Sequence, residues 1–260
     1  MLANNNEAII NKLAKNSVKT NKKQYAILFF TIILSAFMLF CVFTIGMTYL
    51  NSSRLQNTRL NGAEYDIVTM NGFTSEQLNT LQQNENIRSV GIESYAGFIQ
   101  STEYDKTVEI GLLWCDEVFW DNLMSPARTK LDGHYPQNKN ELMVTKDILK
   151  ACGNENLSVG DSIVLTYENN TGVHTDKFVI SGIWDGYGDK SAGFVSKNFY
   201  DETGYDLKND GILCIKLNRN YVLPTTIQSL EKSLNFSDRQ IFAPTDYIEN
   251  SFKLLLGICG

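Results

Sequence analysis

Histidine and proline are scarce in this chain, at two and four residues, and its five cysteines follow no metal-ligating spacing. A zinc site needs three or four convergent ligands, and neither His134 nor His174 has such a set around it, although Asp176 lies near His174. No Gly-x-Ser-x-Gly elbow accompanies the histidines, so the sequence gives no basis for a serine hydrolase. With 11% aromatic residues and few prolines, the chain does not have the composition of a disordered stalk. Cys41 and Cys259 sit in apolar runs, leaving an odd set of Cys115, Cys152 and Cys214. That set allows one bridge or three free thiols, and free cysteine is a familiar small core residue.

Charge is also missing from one long stretch. Between Lys23 and Arg54 there is no Asp, Glu, Lys or Arg, and Tyr25 to Leu50 reads YAILFFTIILSAFMLFCVFTIGMTYL. A bilayer core about 30 Å thick needs about 20 apolar residues, so residues 25–50 are expected to form a transmembrane helix. No Ala-x-Ala cleavage pattern follows it, which favours an uncleaved anchor over a secretory signal. Lys22 and Lys23 with Tyr25 flank one end of the span, and Tyr49 flanks the other.

The leader, residues 1–24, carries Lys12, Lys15, Lys19, Lys22 and Lys23 against the single acid Glu7. Taken from totals of 23 basic and 29 acidic residues, this leaves the remainder at about −10 net. A basic flank stays in the cytoplasm, so the expected topology is N-terminus inside and the following domain outside. The acidity of that domain excludes nucleic acid as a partner. Within the leader, Ile9, Ile10, Leu13 and Ala14 recur on one helical face, as in a helix lying along membrane lipid.

Residues 51–250 are long enough for one sizeable core or two lobes. Leu55 and Leu60 are spaced as on a helix, so the membrane helix is expected to continue outward for two or three turns. YDIVTM at 65–70 reads as a strand, Thr74-x-x-Gln77 as a capping box, and 87–100 as the next strand or strand pair. Near the far end the same order recurs: GILCIKL at 211–217, a helix from Pro224 with Ile227, Leu230 and Leu234, and RQIFA at 239–243. The segment between is mostly β, with strands at 107–114 and 141–145, a short helix at 146–151, and a hairpin of 162–167 with 177–184. The expected fold is α+β. A transmembrane helix precedes a two-lobed exported domain, with a β-rich lobe, about 112–205, inserted into a βαβ-containing lobe built from both ends. SFKLLLGICG at 251–260 reaches about 15 Å as a helix and reads as the opening of a second span.

The motifs that invite chemistry do not converge. GYGDKSAG at 186–193 lacks the Gly-Lys-Ser/Thr order of a phosphate loop. WCDEVFWDN at 114–122 offers Asp116, Glu117 and Asp121 beside aromatics, a glycosidase-like mixture, but the apolar positions also suit a helix packed on a sheet. DLKNDG at 206–211 misses calcium-loop spacing and reads as a turn. The reading is therefore no enzyme, no catalytic residue, no metal and no cofactor.

GHYPQNKNELMVTKDILKACG at 133–153, LSVGDSIVLTY at 157–167 and FVISGIW at 178–184, placed after a basic leader and first span, resemble the FtsX-like permease subunits of ABC transporters in the MacB-type arrangement. The resemblance implies a multi-pass cell-membrane permease working as a homo- or heterodimer with a separate cytoplasmic ATPase. Its exported domain would contact a peptide, a lipoprotein or a cell-wall protein, for export or mechanical signalling. The further spans and the ATPase-contacting loop of that pattern are not in these 260 residues. The alternative is a single-pass anchored extracellular binding or adhesion protein. An anchored wall hydrolase is a third reading, and it lacks a convergent nucleophile, base or metal set.

Overall fold

The computed structural model describes residues 6–100, 110–187, 192–218, 223–236 and 241–242. The chain divides into two compact units, Met1–Ser53 and Arg54–Gly260.

The first unit is helical. Helix α1 spans Asn6–Thr20 and α2 spans Lys22–Asn61. The i to i−4 ladder carries across Asn21, whose N–H donates to Ser17 O (3.0 Å) and whose carbonyl accepts from Tyr25 N–H (3.1 Å), so α1 meets α2 through a bend and no loop. No proline interrupts α2, and Thr31 and Thr44 return their hydroxyls to the carbonyls of Ile27 and Phe40. Its side chains are bare: Phe43 is 71% and Ile45 69% exposed. An apolar surface of that extent is stable against lipid and a liability in water. Among the described residues α2 is the one helix long and apolar enough to cross a membrane. Its 40 residues run past the apolar stretch to Asn61, and Gly62 at φ +79° supplies the left-handed residue that ends it.

In the second unit the elements follow in order. These are β1 (Ile67–Thr69), α3 (Ser75–Gln82), β2 (Ile87–Ile99), β3 (Ile110–Cys115), a π-helix (Val118–Leu123), a 3-10 turn (Ser125–Ala127), β4 (Arg128–Gly133) and β5 (Glu141–Val144). Then come α4 (Lys146–Ala151), β6 (Ser162–Asn169), β7 (Gly172–Gly186), β8 (Gly193–Val195), α5 (Lys197–Tyr200), α6 (Leu207–Asp210), β9 (Ile212–Leu217), α7 (Leu223–Leu234) and β10 (Ile241–Phe242). The architecture is mixed α+β. Ten strands among the described residues join in one sheet, in the order β10-β1-β9-β2-β3-β8-β5-β7-β4, with β6 paired to both β2 and β7.

The thirteen-residue β2 is the shared member. Its first half pairs with β9 and its second half with β3 and β6. One apolar cluster lies under α3 and α7, with Ile67, Leu81, Leu213 and Leu230. A second lies among β3, β5, β6 and β7, with Leu112, Leu142, Ile148 and Phe178. Half-buried Ile92 on β2 packs against both. The sheet thus runs unbroken through the region assigned from sequence to an inserted lobe.

The local signals act as their chemistry requires. Thr74 and Gln77 form the reciprocal box at the start of α3 (3.2 and 2.8 Å), and the same Gln77 amide donates to Leu234 O (2.7 Å) at the end of α7. Thr145 Oγ1 caps α4 by accepting from Ile148 N–H (3.2 Å). The hairpin of β6 and β7 keeps regular antiparallel register from Ser162↔Val179 to Asn169↔Gly172. One reading is corrected. The turn expected at 206–211 holds the one-turn helix α6, because Asp206 accepts from Lys208 and Asn209 N–H and caps it. Residues 114–122 leave β3 and enter a helix packed on the sheet, of π form. The expected second span at 251–260, Thr107 to Glu109 of the strand expected at 107–114, and Gly188 to Ser191 of the glycine-rich loop lie outside the described residues.

Candidate membrane-coupling site

Lys22, Lys23, Tyr25 and Tyr49 all lie on α2 and are exposed. From Tyr25 to Tyr49 the helix rises about 36 Å, enough for a hydrocarbon core of about 30 Å with an aromatic near each boundary. The Tyr25 hydroxyl lies 3.1 Å from Ser17 Oγ, which ties α1 to the first turn of α2. The side chains of Ile9, Ile10 and Leu13 on α1 are exposed.

Sequence reasoning gave no role to the residues just beyond the span, and there the chain makes its first bonds to the sheet. Thr58 is buried, and the Arg59 guanidinium sits 4.0 Å from the centre of the Tyr187 ring. After Gly62 the chain is bonded at once to other elements. Glu64 N–H donates to Leu123 O of the π-helix (2.7 Å), and Asp66 N–H donates to Ile215 O of β9 (2.9 Å). Asp66, 7% exposed, accepts Leu217 N–H (2.9 Å), and Lys216 Nζ stands 3.2 Å from Glu64 and 3.4 Å from Asp66. The signal in the sequence was a lone Asp opening a β-rich stretch, which no periodicity argument distinguishes from a turn residue.

The π-helix that receives Glu64 is itself locked to the sheet. Ala63, Phe119, Trp120, Leu123, Phe194 and Cys214 belong to one apolar cluster. Gly91 of β2 lies under it, and a Cβ there would meet Leu123 Cδ1 at 2.8 Å and Phe119 Cα at 2.9 Å, so only glycine allows this approach. Asp116 anchors the near end, accepting from Ile92 N–H (2.9 Å) and Phe119 N–H (2.8 Å). Burial pushes the Asp116 carboxyl up, against the pull of those two donors. Arg128 stacks over Trp120 at 4.1 Å. Tyr135 closes the cluster: its hydroxyl accepts from Cys115 N–H (3.0 Å) and lies 3.3 Å from Val195 O. Burial raises the Tyr135 hydroxyl and the Cys115 and Cys214 thiols well above their usual ranges, as expected of packed structural groups.

The motifs weighed for chemistry are held elsewhere. Asp116 is engaged with backbone donors as described, while Glu117 and Asp121 are exposed. His134 Nδ1 lies 3.0 Å from Tyr135 O, and His174 Nε2 lies 2.8 Å from Thr171 Oγ1. Among the described residues no group of three His, Cys, Asp or Glu could hold a metal ion. Cys41, Cys115 and Cys214 are free thiols. A shallow recess of about 470 Å³ lies beside the hairpin, where Tyr167, Phe178 and Phe199 form the floor and Lys139, Asp176 and Glu202 the rim. The Tyr167 hydroxyl donates to Asp176 (2.6 Å), and Lys139 pairs with Glu202.

Neither a family model nor a curated relative matches the chain. Among solved structures it is similar to the periplasmic region of MacB from Actinobacillus actinomycetemcomitans, at 13% identity over 75% of this chain and 95% of that one, with a TM-score of 0.47. It is also similar to the extracellular domain of the noncanonic ABC-type transporter YknZ from Gram-positive bacteria, at 11% identity over 69% of this chain and 98% of that one, with a TM-score of 0.44.

Proposed function

We propose that this chain is a permease component of an ABC transporter of the FtsX-like, MacB-type arrangement. In this reading α2 crosses the cell membrane with its N-terminus in the cytoplasm, and the acidic α+β domain stands outside. That domain meets a peptide, lipoprotein or cell-wall partner, and α2 relays movement between it and a separate cytoplasmic ATPase. A second permease subunit completes the assembly, and the β-rich stretch at about 112–205 forms the distal lobe.

One observation carries the reading: α2 continues without a break for about three turns beyond its apolar stretch. A passive tether would be served by a flexible linker. Here Glu64 and Asp66, just after Gly62, are tied by backbone bonds to the π-helix and β9, and Asp66 also accepts Leu217 N–H. Motion delivered along such a helix reaches the sheet through packed elements, which is the physical requirement for coupling two sites. The resemblance of residues 133–184 to the permease family and the basic leader support the same reading.

The decisive experiment purifies the complete gene product from the membranes of its host and asks whether an ATPase with Walker motifs, encoded by a neighbouring frame, travels with it. Co-purification is expected. Absence of both a neighbouring ATPase frame and a co-purifying ATPase would leave the single-pass adhesion reading in its place. Topology is tested separately: a membrane-impermeant thiol reagent applied to whole cells should label Val164→Cys and spare Leu13→Cys.

A further inference from the structure

One edge of the sheet is left open in a form that suits a particular partner. Strand β4 ends the strand order, bonded along one side to β7 and, among the described residues, to nothing on the other. Thr129, Lys130, Leu131, Asp132 and Gly133 are all exposed, and Leu131 is 44% exposed. Open edges of this length are templates for pairing with another chain.

The backbone parity of β4 follows from one bond. His134 N–H donates to Ser181 O (2.9 Å), and the β4–β7 register pairs Gly133 with Gly182 and Asp132 with Ile183. Hydrogen-bonding groups alternate along an antiparallel strand, so residues 130, 132 and 134 turn theirs to β7. The register is regular from Lys130 to Asp132, between a bulge at Arg128–Lys130 and Gly133 at φ +87°, and there Leu131 turns its groups outward.

We propose that β4 pairs, antiparallel, with β4 of a second copy of this chain, about a two-fold axis at Leu131. The proposal rests on the reading of the chain as one of two permease subunits and goes further by naming the surface. With the axis there, the outward groups of Leu131 meet those of its mate. Lys130 then stands across from Asp132 twice, once on each side of the axis. Neither of these two side chains has an ion-pair partner within 4 Å among the described residues. Lys130 already stands across β7 from Asp185, so the new pair extends an alternating charge ladder.

The neighbouring registers that keep backbone parity fail on charge. Moving the axis to residue 130 sets Lys130 against Lys130, and moving it to residue 132 sets Asp132 against Asp132. Like charges directly opposite are destabilising, and opposite charges are favourable. A short strand pair is weak in free solution, but two copies held in one bilayer meet at high effective concentration. The lysine that would normally protect an edge is complemented here by an aspartate two residues on.

The test is made on the full chain in its own membrane. At a hydrogen-bonded antiparallel pair the Cα atoms lie about 5.5 Å apart, within disulfide range. Leu131→Cys should therefore give a disulfide-linked dimer under a mild oxidant, above the background of the parent cysteines, whereas Val164→Cys, 61% exposed on the hairpin, should not. Adding Lys130→Asp should lower Leu131→Cys cross-linking roughly tenfold, because it replaces two attractive pairs by two repulsive ones. Adding Asp132→Lys to that variant should restore the yield. A chain that is dimeric by size but shows no Leu131→Cys cross-link, or a yield indifferent to the charge exchange, overturns the edge assignment and leaves the subunit pairing standing. A monomer in the membrane overturns both.

Discussion

Replacing Asp66 by alanine tests the link between the end of α2 and the sheet. Asp66 is buried at 7% exposure and accepts Leu217 N–H at 2.9 Å, while Lys216 stands 3.4 Å away. Lys216 keeps Glu64 at 3.2 Å in the variant, so its charge is not stranded. The loss then falls mainly on Leu217 N–H, a buried donor whose bond to a carboxylate is worth roughly 1.5–3 kcal/mol. A domain of about 200 residues loses about 2–4 °C in Tm for each kcal/mol, so a cost of about 2 kcal/mol predicts a fall of about 4–8 °C. The three tryptophans, Trp114, Trp120 and Trp184, all lie in the second unit, so a fluorescence melt of the full chain in detergent reports that unit and not α1 or the membrane-spanning part of α2. Asp66→Asn retains an oxygen for Leu217 N–H and should recover more than half of the loss. An alanine variant melting within about 1 °C of the parent would show that the Asp66 bonds carry no net stability and refute the junction as drawn.

Two further outcomes follow from the same region. Gly91→Ala places a Cβ 2.8 Å from Leu123 Cδ1 and 2.9 Å from Phe119 Cα, and since a backbone atom cannot rotate away, overpacking should cost about 1–3 kcal/mol, read in the same melt. Retained stability there would mean that the π-helix does not sit tightly on β2. The raised Asp116 carboxyl predicts a pH dependence of defined sign. The folded state holds that proton more tightly than the unfolded state, so stability falls as pH rises from the ordinary carboxylate range through the raised value. Asp116→Asn keeps an acceptor for Ile92 and Phe119 N–H and should flatten that fall; a slope identical to the parent's would assign it to other groups.

Much of the fold was legible because its signals are local. The capping box at Thr74 and Gln77, the hairpin around Asn169 to Gly172 and the uncharged run after Lys23 each rest on neighbours within a few residues, and each forms the expected element. Pairing across the sheet was not legible in the same way. That β2 serves two apolar clusters, or that β8 lies between β3 and β5, depends on contacts far apart in sequence. The wider turn of the π-helix escaped because its apolar positions, Phe119, Trp120 and Leu123, fit an α-helical face equally well, and its close approach to β2 depends on the distant Gly91. Of the candidate site, the flanking residues Lys22, Lys23, Tyr25 and Tyr49 were readable from the span itself. Arg59, Glu64 and Asp66 were not, since their partners Tyr187, Leu123 and Leu217 lie more than fifty residues away.

In the proposed assembly α2 transmits motion as a continuous rod, and a flexible insertion would break that rod. Three glycines placed between Asn51 and Ser52, in protein reconstituted in nanodiscs with the ATPase proposed to co-purify with it, would interrupt the helix between its two ends. Hydrogen exchange of the exported domain is then compared with and without ATP. The account predicts an ATP-dependent change in the parent that disappears in the insertion variant while ATP hydrolysis continues. An ATP-dependent change that persists undiminished through the insertion would contradict it and leave α2 a plain anchor.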